Sequence, residues 1–270
     1  MTTTTLLSTV GATSPEVVAR FGPHHPNASW VEAHGAGRIP GRTWSIGPVD
    51  GEPSSWLVEV GAKFCYLTGQ IDAGVLAEVG RLLERRDGVT VILPPDATVG
   101  EGEAPPGFRA MVRRQYRGRS AALARDLTEE GVRERIAAVR ALGFEVRAIR
   151  PEDLEQPLLG DTMLAVYGSA EAFAAGPDLG FCAVEGDRII TWMHPVVGTH
   201  SAELGHATVP EHRRRGVPTN LVYIAARQLA EAGFDVTGSS DVELVASQRV
   251  AERIGMTREH DYPALVRDDH

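Results

Sequence analysis

The chain has 270 residues, 43% of them hydrophobic, enough for a sizeable core and suited to one large or two small domains. A formal net charge of −9 argues against a general nucleic-acid binder, whose sequence-independent affinity comes from cationic side chains displacing counterions, while a local basic site stays compatible with it. No segment approaches the ~20 apolar residues that span a bilayer, the N-terminus lacks a basic leader with an apolar stretch, and the expected setting is cytoplasmic.

In chain order, residues 1–55 are rich in Gly, Pro and Ser and read as a meandering entry with a few short strands rather than long helices. "WLVEVGAKFCYLTG" then reads as strands, Val75, Val79 and Leu82 mark one helical face, and "GVTVILPP" is a buried strand stopped by two prolines. After a turn-rich gap at 94–107, Val132, Ile136, Val139 and Leu142 form a second apolar stripe, closed by Gly143 and followed by a strand with Phe144, Val146 and Ala148 alternating. A boundary falls at 150–160, where "RPEDLEQPLLGD" carries two prolines and several charges.

The C-terminal part is the most regular. "GFCAV" and "RIITWM" pair across the turn "EGD" as a hairpin, and "SAELGHATV" continues as a third strand. A helix starts at Pro218 or Thr219, with Val222, Ala225, Leu229 and Ala232 on its apolar face and Gly233 at its end; "FDVTG" resumes as a strand. A further helix over about 242–254 ends at Gly255 and leads into "TREHDYPALVR". Cys65 and Cys182 sit in apolar runs and read as buried, reduced thiols.

Within "ATVPEHRRRGVPTNLV" a strand, a loop holding Gly216 and a helix N-terminus aim unpaired N–H groups and the positive end of the helix dipole at one point, which suits phosphate. Gly216 lets a ligand approach the backbone, and Arg213, Arg214 and Arg215 can add charge-assisted contacts. No Lys-Ser or Lys-Thr follows the glycine and G-x-G-x-x-G is absent, so neither a P-loop nor a dinucleotide fingerprint is present.

From about Gly180 to the end, the order "GFCAVEGDRIITWM … AELGHATVPEHRRRGVPTNLVYIAARQLAEAGF … ASQRVAERIGM" resembles the GNAT superfamily of acyl-coenzyme A N-acyltransferases, in particular a subgroup that includes zwittermicin-type self-resistance acetyltransferases. The resemblance implies an α/β (α+β) fold with a mixed, mostly antiparallel sheet flanked by helices. It places a GNAT domain over 155–270 and, over 1–154, an α/β portion that contributes to the acceptor site, with a degenerate second GNAT-like half as one reading. It implies acetyl-coenzyme A as co-substrate without a metal, held by the backbone of Arg214, Arg215, Gly216, Val217, Pro218 and Thr219, with Arg213 and Ser247 nearby and pantetheine pairing at Thr208 and Val209. Glu203 matches the position of a general base, which an ammonium acceptor needs before it can attack a thioester.

The sequence also departs from the family. Pro218 removes an N–H donor from the loop, although it suits a first helical turn. Leu244 stands where many relatives have asparagine, and Ala251 where many have the tyrosine that protonates the leaving thiolate, which leaves Tyr223 and Tyr262 as candidate acids. A metal at His200, Glu203 and His206 is disfavoured because strand alternation turns Glu203 away from the histidines; His206 stays a candidate pocket residue. Six arginines in "FRAMVRRQYRGRSAALAR", Arg109, Arg113, Arg114, Arg117, Arg119 and Arg125, read as a solvated face pairing with carboxylates.

The expected activity is transfer of acetyl to the primary amine of a small molecule, antibiotic or natural-product related, by a monomer or homodimer. Alternatives are another acyl donor, aminoacyl-tRNA included, and an inactive coenzyme-binding module.

Overall fold

The computed structural model describes residues 4–9, 13–48, 52–100, 102–176 and 180–267. A first series of elements runs β1 (Thr4–Thr9), α1 (Pro15–Phe21), α2 (Ala28–Gly35), β2 (Gly41–Pro48), β3 (Ser55–Val60), β4 (Phe64–Gly69), α3 (Ala73–Leu82), β5 (Thr90–Ile92) and β6 (Arg109–Gly118). Two connecting helices follow, α4 (Ser120–Asp126) and α5 (Glu129–Ala141). A second series has the same order: β7 (Glu145–Ala148), α6 (Pro157–Tyr167), α7 (Ala170–Ala174), β8 (Phe181–Glu185), β9 (Arg188–Val197), β10 (Ser201–Thr208), α8 (Val217–Glu231), β11 (Asp235–Asp241), α9 (Val245–Arg253) and β12 (Thr257–Val266). It begins at Glu145, ahead of the 154/155 division expected from sequence, and the first series has the 94–107 loop where the second has α9.

The described strands form one twelve-stranded sheet in the order β1-β2-β3-β4-β5-β12-β6-β11-β10-β9-β8-β7. Reading outward from the central antiparallel β12–β6 pair, each strand meets its counterpart: β5 with β11, β4 with β10, and so on to the edges. The β4–β5 and β10–β11 pairs are both parallel within an otherwise antiparallel sheet. Helices α3 and α8 pack on one face, over Cys65 and Leu67 in one half and Ala202 and Leu204 in the other. Side chains of α2 and α6 pack on the opposite face with Tyr66, Trp192 and Tyr262. An approximate twofold axis thus runs through the sheet between β12 and β6, and the N-terminal portion is a second copy of the C-terminal architecture.

Helix α8 is the most buried helix of the second half because it packs on the sheet and also under α4 and α5. Its apolar positions therefore extend beyond one stripe, with Leu221, Ala225, Ala226 and Leu229 inaccessible. Leu229→Ala is expected to cost about 3 kcal/mol, typical for removal of a buried leucine side chain, read as a lower urea midpoint at unchanged slope.

Two stretches differ from the sequence reading. Residues 1–55 contain two short helices, α1 capped by Ser14 and α2 started by Asn27 in the left-handed region (φ 56°), a conformation asparagine tolerates. The arginine-rich run pairs with carboxylates as expected, with Arg109, Arg119 and Arg125 exposed, but Arg109–Gly118 is also a strand, β6, at the centre of the sheet. Its cations are matched across the ladders, Arg114 to Asp261 at 2.7 Å and Arg117 to Glu259 at 2.7 Å on β12. Arg119, just past the strand, pairs with Asp235 of β11 at 2.8 Å.

Candidate active site

Strands β10 and β11 pair only at Ser201↔Asp235, Ala202↔Val236 and Glu203↔Thr237, so beyond Glu203 a gap opens in the sheet. On its other side β10 stays paired with β9, and Val209 donates its N–H to the Ile190 carbonyl at 3.0 Å. Antiparallel pairing alternates, so the backbone groups of Leu204, His206 and Thr208 face the gap. Thr208 lies on that open edge as expected from sequence. Val209 does not: its N–H serves Ile190, and its carbonyl accepts the His212 N–H at 3.0 Å. Pairing with an extended ligand therefore falls to Leu204, His206 and Thr208.

The loop from β10 to α8 passes through two left-handed residues, Arg214 (φ 63°) and Gly216 (φ 78°), and no side chain caps the helix that starts there. Such a turn aims successive N–H groups into a concavity. A Cβ on Gly216 would meet no atom within 4 Å, so the approach to the backbone is open. Pro218 sits in the first helical turn, where its fixed φ fits and its missing N–H interrupts no helical hydrogen bond. Val217 is buried in the core and contributes only backbone.

The arginine triplet flanks the loop on its exposed side. Arg215 lies over the Phe144 ring at 4.7 Å, with Nη1 3.0 Å from His212 Nδ1, and Arg213 Nε donates to the Thr208 carbonyl at 3.3 Å. Arg214 is exposed. A cavity of about 440 Å³ at the start of α8 is instead lined by Arg135 of α5 and Arg253 of α9, with Gly216, Thr219, Asn220 and Tyr223. These two cations escaped the sequence reading because each is isolated in its own amphipathic helix. Tyr223 belongs to this end, its hydroxyl accepting the Thr128 N–H at 3.1 Å, which removes it from the reacting centre.

A narrower cavity of about 40 Å³ lies in the gap, bounded by Tyr116, Leu204, His206, Ser239, Ser247 and Ala251 among others. Ser247 is thus placed where the sequence expects it, and the small Ala251 leaves the passage open. Tyr116 of β6 supplies a phenol here, its hydroxyl donating to Glu252 Oε1 at 3.1 Å.

On the opposite face, Glu203 is 5% exposed and its Oε2 has no hydrogen-bond partner among the described residues. Burial pushes its pKa up, against the Thr237 and Ser239 hydroxyls and the Arg113 and Arg117 cations. Its counterpart across the twofold is Tyr66, the last residue of β4 paired to β5, also inaccessible and with an unpartnered hydroxyl. Between them stands the central cross-strand pair of Arg113 and Tyr262, whose Nε–H and hydroxyl oxygen are 3.1 Å apart; Arg113 also donates to Ser239 Oγ at 3.3 Å. Tyr262 is therefore close to Glu203 by structure as well as near the motif in sequence.

Glu203 forms part of a cavity of about 210 Å³ to which both halves contribute, with Asn27, Trp30, Lys63 and Phe64 from the first and Met163, Tyr167, Trp192 and His194 from the second. The gap residues Leu204, His206 and Ser239 line this cavity and the narrow one, so the two adjoin at the gap in the sheet. Burial lowers the pKa of His206 and takes that of His194 to about 4, so both rings are neutral at neutral pH. No metal-binding group of His, Cys, Asp and Glu occurs among the described residues, and none of their helices is long and apolar enough to cross a membrane.

The equivalent point in the first half is built otherwise. Helix α3 is capped by Asp72, whose Oδ1 accepts the Val75 N–H at 2.9 Å, so a carboxylate already occupies the helix N-terminus.

Neither a protein-family model nor a curated relative matches the sequence. The structure is similar to that of a GCN5-related N-acetyltransferase-like protein from Streptococcus suis, at TM-score 0.63 and 17% identity over 93% of this chain and 96% of the other. A putative acetyltransferase of the GNAT family from Novosphingobium aromaticivorans matches at TM-score 0.57 and 14% identity over 92% and 98%. A GCN5-related glucosamine N-acetyltransferase region of a fungal multi-domain β-N-acetylglucosaminidase matches at TM-score 0.59 and 13% identity, over 98% of this chain and 38% of the fungal one. The chain has the fold of the GCN5-related N-acetyltransferases.

Proposed function

We propose that the chain transfers an acyl group, acetyl from acetyl-coenzyme A, to the primary amine of a small molecule by direct attack in a ternary complex. The observation that carries this reading is the gap beyond Glu203, with an open anion cradle at the start of α8 and a buried carboxylate at the edge of the gap. The N–H groups of Gly216 and Thr219 and the side chains of Arg135 and Arg253 suit a pyrophosphate. The open edge at Leu204, His206 and the Thr208 N–H suits an extended amide chain, and its N–H groups can stabilise charge developing on a thioester oxygen.

Glu203 then takes the proton of the attacking amine as a C–N bond forms and the C–S bond breaks. Burial raises its pKa, which makes it a stronger proton acceptor than an exposed carboxylate. Tyr116 at the passage and Tyr262 beside Glu203 are the phenols placed to serve the departing thiolate, which as a weak base can also leave unaided. The fold likeness does not extend this reading to an antibiotic or to charged tRNA. Calorimetry with coenzyme A and thiol release on an amine panel test it: micromolar binding and amine-dependent thiol release are expected, and absence of both sinks it.

A further inference from the structure

Resting on the transfer reading, the acceptor cavity has a charge and wall pattern that selects among amines. Trp30 and Phe64 stand together with ring centroids 5.1 Å apart, and Trp192 faces them from the other half with its indole N–H donated to the Leu158 carbonyl at 2.7 Å. This aromatic part of the wall is apolar, with the indole's polar atom already satisfied, while Asn27, Thr162 and Ser239 add neutral polar groups elsewhere in the lining. The cavity's volume, about 210 Å³, compares with roughly 150 Å³ for a protein cavity that holds benzene, so one ring with a short chain fits and a multi-ring sugar does not.

Of the charged side chains that line it, Arg113 is engaged by Tyr262 and Ser239, while Lys63 is exposed at the rim, in the turn between β3 and β4. The lining thus offers one carboxylate, deep inside, and two cations. A second ammonium on the acceptor would find neutral acceptors such as Asn27 Oδ1 but no second carboxylate. The acidic net charge of the whole chain does not carry over to this site.

We infer that the acceptor is an amine on an apolar body of about one ring that also carries a carboxylate, with the amine toward Glu203 and the carboxylate toward Lys63. Phenylalanine, phenethylamine, glucosamine and spermidine separate the possibilities on the full chain, by thiol release and by calorimetry with coenzyme A present. Phenylalanine is expected to exceed phenethylamine about fivefold in kcat/KM, the scale of an exposed ion pair near 1 kcal/mol. The preference should shrink at high salt, and Lys63→Glu should reverse it. Preference for glucosamine or spermidine, or an order unchanged by Lys63→Glu, overturns the inference while leaving transfer intact. Should no amine release thiol, transfer itself fails, and the calorimetric order decides the ligand class: phenylalanine tightest supports it, any other order overturns it.

Discussion

Glu203→Gln is expected to lower kcat/KM by about 10²–10⁴-fold, the usual worth of a positioned general base, while raising the melting temperature at neutral pH. Both effects have one origin. Glu203 is buried with Oε2 unpartnered, and burial lifts its pKa, so the folded chain binds this proton more tightly than the unfolded chain. Linkage then makes the group's contribution favourable below the unfolded carboxylate pKa and loses it as pH rises through the raised native value. Ionising the buried carboxylate is thus a net cost to the fold, which glutamine lacks. Wild-type kcat/KM should fall on the acid side of the raised pKa as the base is protonated, and this limb should vanish in Glu203→Gln. Thermal scans at pH 5 and pH 8 check the second half: the stability difference should be larger at pH 8. A variant with unchanged rate and pH profile removes Glu203 from the chemistry and favours a binding module.

The second half was legible because its signals are local. "GFCAV" and "RIITWM" alternate cleanly, and "HRRRGVPTN" marks a strand-to-helix turn by glycine and proline alone. Residues 109–118 hide a central strand because such a strand usually shows as apolar, whereas β6 pairs Arg114 and Arg117 with carboxylates of β11 and β12, more than a hundred positions away. The same distance hides Tyr66 and Lys63 from any local reading, since only the twofold brings β4 toward β10. Helix α6 was lost in a proline-rich boundary, although Pro157 stands at its first turn, where proline is tolerated. Arginine triplets draw attention by composition, whereas Arg135 and Arg253, which line the cavity at the start of α8, are single residues in separate helices that only the fold brings together.

Gly216→Asp is expected to weaken coenzyme A binding by about ten- to a hundredfold, and the wild-type chain to bind one equivalent although it contains two copies of the architecture. Aspartate tolerates the left-handed conformation that Gly216 adopts at φ 78°, so backbone strain contributes little. What changes is charge: a carboxylate placed at the helix N-terminus repels the pyrophosphate and competes for its N–H groups, on the scale of about 1–3 kcal/mol. Gly216→Asn has the same shape without the charge and should retain most of the affinity. The first half carries this block naturally, since Asp72 caps α3 where Gly216 leaves α8 uncapped. Asp72→Asn should therefore leave coenzyme affinity and stoichiometry unchanged, because neutralising the cap does not supply the longer loop that leads into α8 or the arginines beside it. Calorimetry of the wild type and three variants gives all of these numbers. A stoichiometry of two, or Asp72→Asn weakening binding as much as Gly216→Asp, would place the cradle in the wrong half.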